Sequence, residues 1–175
     1  MKKITKFIAE IGINHNGSFL EAKKLIDLAF LSNCWGVKFQ YRNLNNYFSD
    51  VLSSSELGKE IIDKELKKNY LDHKKILRLS KYAKKKNLNV GLSLFSINDY
   101  KFFKNYKFDF FKIPSPVCHD YELINFLKNK SKRMIISFGG KNFIEIKKII
   151  KDCNLKKNRT VLLHCISNYP VNEIN

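Results

Sequence analysis

At 175 residues the chain is long enough for one domain with a sizeable core and too short for two comfortable ones. Hydrophobic residues make up 44 % and charged residues 28 %, the composition of an ordinary globular protein. The formal net charge of +17 comes almost wholly from lysines scattered over helical stretches, with only Arg42, Arg78, Arg133 and Arg159 as arginines. Such a charge suits a nucleic-acid partner or an anionic substrate, but the scattered lysines read first as a solvated face and lack the arginine emphasis of a nucleic-acid reader.

The chain alternates short apolar runs with longer stretches of helical period. The N-terminal MKKITKFIAEIGINHNG is interrupted by Glu10 and Asn14, so it reads as neither signal peptide nor membrane span, and a bacterial-type cytoplasm is expected. A first strand falls at 6–11. FLEAKKLIDLAFLSN follows, with Phe19, Ala22, Leu25, Ile26 and Ala29 on one helical face. The second strand is GVKFQ (36–40). A long polar insertion then runs from Tyr41 to Tyr70, whose ELGKEIIDKEL suggests a short helix and a possible wall or lid. HKKILRLSKYAKKK places Ile76, Leu79, Tyr82 and Ala83 together. Strands follow at 89–95, 108–113, 133–138 and 160–166, with YELINFLKNK and NFIEIKKIIKDC as further helices. The near-continuous apolar strands predict a parallel sheet buried on both faces.

Such βα units build an open doubly wound sheet or a closed barrel. Neither G-x-G-x-x-G nor a Walker A loop occurs, and only 7 glycines are present. The reading is therefore α/β, an incomplete TIM (β/α)8 barrel with about six βα units. The four cysteines, Cys34, Cys118, Cys153 and Cys165, have neither disulfide nor metal spacing and read as free thiols.

In a barrel, chemistry gathers at the C-terminal ends of the strands. There the sequence delivers Glu10, Asn14, His15, Asn16 and Gly17, then Lys38 and Gln40, Ser93, Lys112 and Ser115, Ser137, and finally His164, Ser167 and Tyr169. Two lysines, several hydroxyls and one carboxylate suit a small anion. Lys38 and Lys112 stand inside apolar strands, where an ammonium costs several kcal/mol unless an anion or a carboxylate such as Glu10 neutralises it. The histidines have no ligand spacing, so no metal site is expected from these residues.

The segments FIAEIGINHNG, GVKFQ, FKIPS, IISFGG and LLHCISNYP, in this order and spacing, resemble the N-terminal barrel of the sialic acid synthases, the family of N-acetylneuraminate, legionaminate and pseudaminate synthases. The resemblance runs from about Lys6 to Pro170. It implies condensation of phosphoenolpyruvate with an N-acetylated, N-acetylmannosamine-like amino-sugar aldehyde, giving a nine-carbon 2-keto acid and phosphate, with Mn2+ or Mg2+ as cofactor. By matching position, Lys38, Lys112, Ser115, Ser137 and Ser167 would hold phosphoenolpyruvate, Gln40 and Tyr169 would contact the sugar, and Glu10 would sit beside the reacting centre.

Departures from the family pattern are Val117 where an acidic sugar-binding residue is usual, GLSLFS in the third strand, and Phe138 for a threonine. Two further strands with metal-binding histidines, and a C-terminal antifreeze-like (SAF) domain, would follow in a family member. Residues 1–175 are accordingly expected to be the N-terminal part of the barrel, impaired in isolation, with a homodimer or a complementing C-terminal half as possible partner and no nucleic-acid or membrane partner. Two alternatives stay open: a Schiff-base aldolase using Lys112 or Lys38, and a non-enzymatic basic nucleic-acid-binding domain.

Overall fold

The computed structural model describes residues 5–44, 64 and 66–166. Strands β1 (Ile8–Gly12), β2 (Gly36–Tyr41), β3 (Asn89–Leu94), β4 (Phe110–Ile113), β5 (Arg133–Gly139) and β6 (Thr160–Cys165) alternate with helices α1 (Phe19–Leu31), α2 (His73–Lys85), α3 (Ile97–Lys101), α4 (Tyr121–Leu127) and α5 (Phe143–Asp152). All neighbouring strands are parallel, and their order in the sheet is their order in the chain. A doubly wound sheet reverses its order at a switch point. No reversal occurs here, so the molecule is a β/α half-barrel, as the sequence predicts.

Local chemistry fixes the helix ends. Ser18, Asp72, Ser96, Asp120 and Asn142 each accept a hydrogen bond from a backbone N–H of the first turn. Asn142 and Glu145 form a reciprocal capping box. Helices α1, α2 and α5 are followed by Asn33, Asn87 and Asn154, all at positive φ. At each end two backbone hydrogen bonds fold the chain back, for example Asn33 to Phe30 and Cys34 to Ala29. This is a Schellman stop with asparagine in the place glycine usually takes, which suits a glycine-poor chain.

Side chains alternate across the sheet. Val37, Phe39, Val90, Leu92, Phe111, Ile113, Ile136 and Phe138 are buried in the layer shared with the helices, alongside Ile26, Ile76 and Leu79. The other face carries Lys38, Gly91 and Phe110 in adjacent registers. Gly91 has no alternative there, because a Cβ would overlap the Phe110 ring. Phe110 in turn packs on Trp35 with centroids 5.7 Å apart, and Lys6 and Arg133 lie over the Trp35 ring.

Two differences from the sequence expectation stand out. The five-residue α3 is too short to show a helical period and is set by its Ser96 cap. The end strand β6 is not buried on both faces: Val161, Leu162 and Leu163 are 46 %, 42 % and 39 % exposed. Among the described residues neither a seventh strand nor a following helix covers it. The helix expected within the insertion falls mostly on residues 45–63 and 65, outside the described residues.

Candidate active site

The β1 exit is shaped by a bulge. Register against β2 is regular through Glu10, which stands directly opposite Lys38, and shifts between Glu10 and Gly12. Gly12 has φ +35°, and a Cβ on it would come within 2.5 Å of the Glu10 carboxylate. A side chain there would displace that carboxylate. Asn14 Nδ2 donates to the Glu10 carbonyl at 2.8 Å. His15 is buried, and its Nδ1 accepts the Gly17 N–H at 3.0 Å. Burial holds the His15 imidazole below its usual pKa, opposed by a hydrogen bond with the Gly12 backbone. The Asn-His-Asn-Gly turn therefore serves to aim Glu10, and His15 is spent on the turn itself.

Lys38 is 7 % exposed. Its Nζ lies 2.7 Å from Glu10 Oε2 and donates to Ser93 Oγ at 2.9 Å. Burial pushes the ammonium below the usual lysine range, and Glu10 opposes that push. The pairing with Glu10 that the sequence left open is thus present for Lys38. Lys112 differs. It stands in register with Ser93 and has no hydrogen-bond or ion-pair partner among the described residues. Burial and then the charge of Lys38 lower its pKa, with Glu10 and Cys165 opposing.

Glu10, Lys38, Gln40, Lys112, Ser115 and Ser137 line a single open cavity of about 690 Å³. Ser137 is buried at its wall, and Ser115 opens a 3-10 turn, Ser115–Val117. Among the described residues lining the cavity, two ammonium groups face one carboxylate, so it holds excess positive charge and suits an anion. Ser167 and Tyr169 lie outside the described residues; Ile166, just before them, lines the cavity. Phe95 and Cys165 also line it and were not singled out from sequence. An aromatic and a thiol at strand ends carry no signal that separates them from core residues. Phe138 faces the helix layer, 1 % exposed, so its bulk is a packing feature and not part of the cavity. Val117 is packed against the core.

No group of three His, Cys, Asp or Glu side chains able to hold a metal ion occurs among the described residues. The acid at the mouth is engaged by Lys38 and the nearby histidine is committed to its turn. These residues do not fit a divalent-cation site.

The sequence pattern of the NeuB family matches residues 25–175. The chain belongs to the NeuB family. This NeuB-family chain is 32 % identical over 186 residues to an N,N'-diacetyllegionaminic acid synthase of Campylobacter jejuni, covering 100 % of the chain and 55 % of that protein. It is 31 % identical to the N-acetylneuraminate-9-phosphate synthase of Drosophila melanogaster, covering 93 % and 45 %. The chain spans about half the length of these curated relatives. The crystal structure of an N-acetylneuraminic acid synthetase from Leptospira borgpetersenii, in complex with citrate, superposes with a TM-score of 0.84 at 27 % identity, over 98 % of this chain and 57 % of that one. A DAHP synthase from Thermotoga maritima shares the fold at a TM-score of 0.61 and 14 % identity. No helix among the described residues is long and apolar enough to cross a membrane.

Proposed function

We propose that this chain carries the phosphoenolpyruvate-binding part of a sialic-acid-type synthase, which joins phosphoenolpyruvate to an N-acetylated amino-sugar aldehyde. The observation that carries the reading is Lys112, a half-buried lysine with no partner among the described residues, beside the Lys38–Glu10 pair in one cavity. An ammonium left in that state calls for an anion. Phosphate and carboxylate would meet Lys38 and Lys112, with Ser115, Ser137 and Ser167 supplying directed hydroxyls. Gln40 and Tyr169 would contact the sugar. C3 of phosphoenolpyruvate then attacks the aldehyde carbon, water adds at C2, and the C2–O bond to phosphate breaks. The products are a 2-keto acid and inorganic phosphate. Glu10, held by Lys38, would orient the water or the sugar at the reacting carbon.

The family relation also supports reading residues 1–175 as the N-terminal part of a larger barrel. Turnover then needs the remaining strands, on this polypeptide or another, and any divalent cation would draw its ligands from outside the described residues. Titration calorimetry with phosphoenolpyruvate tests the anion site directly. Binding weakened about a hundredfold in Lys112→Met is expected; a Kd weaker than about 1 mM for the unaltered chain would end the reading.

A second reading draws on the same lysine. A lysine with a lowered pKa beside another cation is the setting of imine-forming enzymes. Pyruvate plus borohydride would reduce such an imine to a stable adduct on Lys112. Recovery of that adduct would favour an aldolase, and its absence removes the possibility.

A further inference from the structure

One buried acid lies outside the cavity and is used by none of the chemistry above. Asp99, in α3, is 1 % exposed. Its Oδ1 accepts the backbone N–H of Asn43 at 2.9 Å, and its Oδ2 accepts the N–H of Phe95 at 3.3 Å. Asn43 lies two residues beyond β2, and Phe95 is the first residue beyond β3. A single carboxylate thus ties the exits of two adjacent strands. Between the two tied points the Arg42 guanidinium lies over the Phe95 ring, 4.4 Å from its centroid. Phe95 lines the cavity, as does Gln40, three residues before Asn43.

A charged carboxylate is an expensive way to bridge two loops. Burial disfavours its ionised form, and the Asn43 N–H, the Ser96 hydroxyl and the Phe95 N–H counter that. The α3 cap does not need it as an acceptor, since Ser96 Oγ takes the Asp99 N–H at 3.2 Å. What the carboxylate does is fix where the β2 and β3 exits sit relative to each other. The geometry points to Asp99 as a positioning residue: it sets Phe95, backed by the Arg42 guanidinium, as the wall of the cavity on the β2–β3 side, against which the second substrate, the amino sugar, is held beside the lysines. The inference rests on the synthase reading for the identity of that substrate, but the wall itself is observable without any ligand.

The test compares Asp99→Asn with Ser96→Ala. Asparagine keeps one acceptor but turns an NH2 donor toward an N–H donor, so at least one tie is lost. Amide hydrogen exchange in Asp99→Asn should be about tenfold faster or more at Asn43 or Phe95, with Ile136 in β5 unchanged. Ser96→Ala removes the cap of α3 and should leave both amides protected. Unchanged exchange at both amides in Asp99→Asn would overturn the inference. So would equal release in Ser96→Ala, because α3 as a whole would then be the holder. In a preparation complemented for turnover, Asp99→Asn should raise KM for N-acetylmannosamine roughly tenfold with KM for phosphoenolpyruvate within about twofold. Equal rises in both would mean general loosening and overturn the assignment to the sugar wall. If phosphoenolpyruvate does not bind the unaltered chain, the synthase reading fails by itself, while exchange still decides whether Asp99 holds the wall.

Discussion

Lys112 and Lys38 sit on neighbouring parts of one cavity wall, yet they are in different electrostatic states. Lys38 has Glu10 and Ser93, whereas Lys112 has only the repulsion of Lys38 and the distant help of Glu10 and Cys165. Removing Lys112 should therefore cost anion affinity, about a hundredfold for Lys112→Met, with little loss of stability. An unchanged affinity by calorimetry would mean that Lys38 alone binds. The pH dependence has a definite sign. The pKa of free Lys112 is lowered, and a bound anion favours its ammonium form. Binding must then take up protons once the pH passes the lowered pKa, and affinity must fall from there upward. An ordinary lysine would hold its charge to about pH 10.4. Calorimetry in two buffers of different ionisation enthalpy reads the uptake; no uptake up to that pH would contradict the shift. Both lysines were legible in the sequence because a charge inside an apolar strand is conspicuous. The bulge just after Glu10 was not, since a register shift leaves no compositional mark.

At the scale of elements, Gly91 shows how backbone and side-chain choices lock together. Its missing side chain is the room occupied by the Phe110 ring, which Trp35 backs from the other side. Gly91→Ala should destabilise the fold by about 1–3 kcal/mol through overpacking. Urea denaturation checks this, and an unchanged midpoint would show that Phe110 can turn away without loss. The strands and the longer helices could be read from periodicity, because alternation and the 3.6-residue face are written in consecutive residues. α3 could not, since five residues do not complete two turns. The positioning acid on α3 stayed hidden for the same reason: the partners of Asp99 are Asn43 and Phe95, and Asn43 is 56 residues away in sequence.

For the whole molecule, the informative surface is β6. Val161, Leu162 and Leu163 face outward on both sides of an end strand, with α5 the last helix among the described residues. An exposed apolar strand edge templates association. Residues 1–175 produced alone should therefore self-associate in a concentration-dependent way, seen by sedimentation velocity. Leu163→Lys should suppress it with little change in melting temperature, because Leu163 is already 39 % exposed. A monodisperse monomer at high concentration would contradict this. From sequence, apolar strands implied burial on both faces, which holds for β2–β5 and fails for β6, because burial depends on what lies beside a strand and not on its own residues.

The sheet order has a further consequence, for how the protein comes into being. Every strand pairs with the one made immediately before it. Each pairing closes one βα unit, the longest across residues 42–88 between β2 and β3. A growing chain that has emerged only as far as β4 already contains Glu10, Lys38, Ser93 and Lys112, the residues that its first three pairings bring into register. The Lys38–Glu10 pair and Lys112 can thus be brought together vectorially, before β5 supplies Ser137.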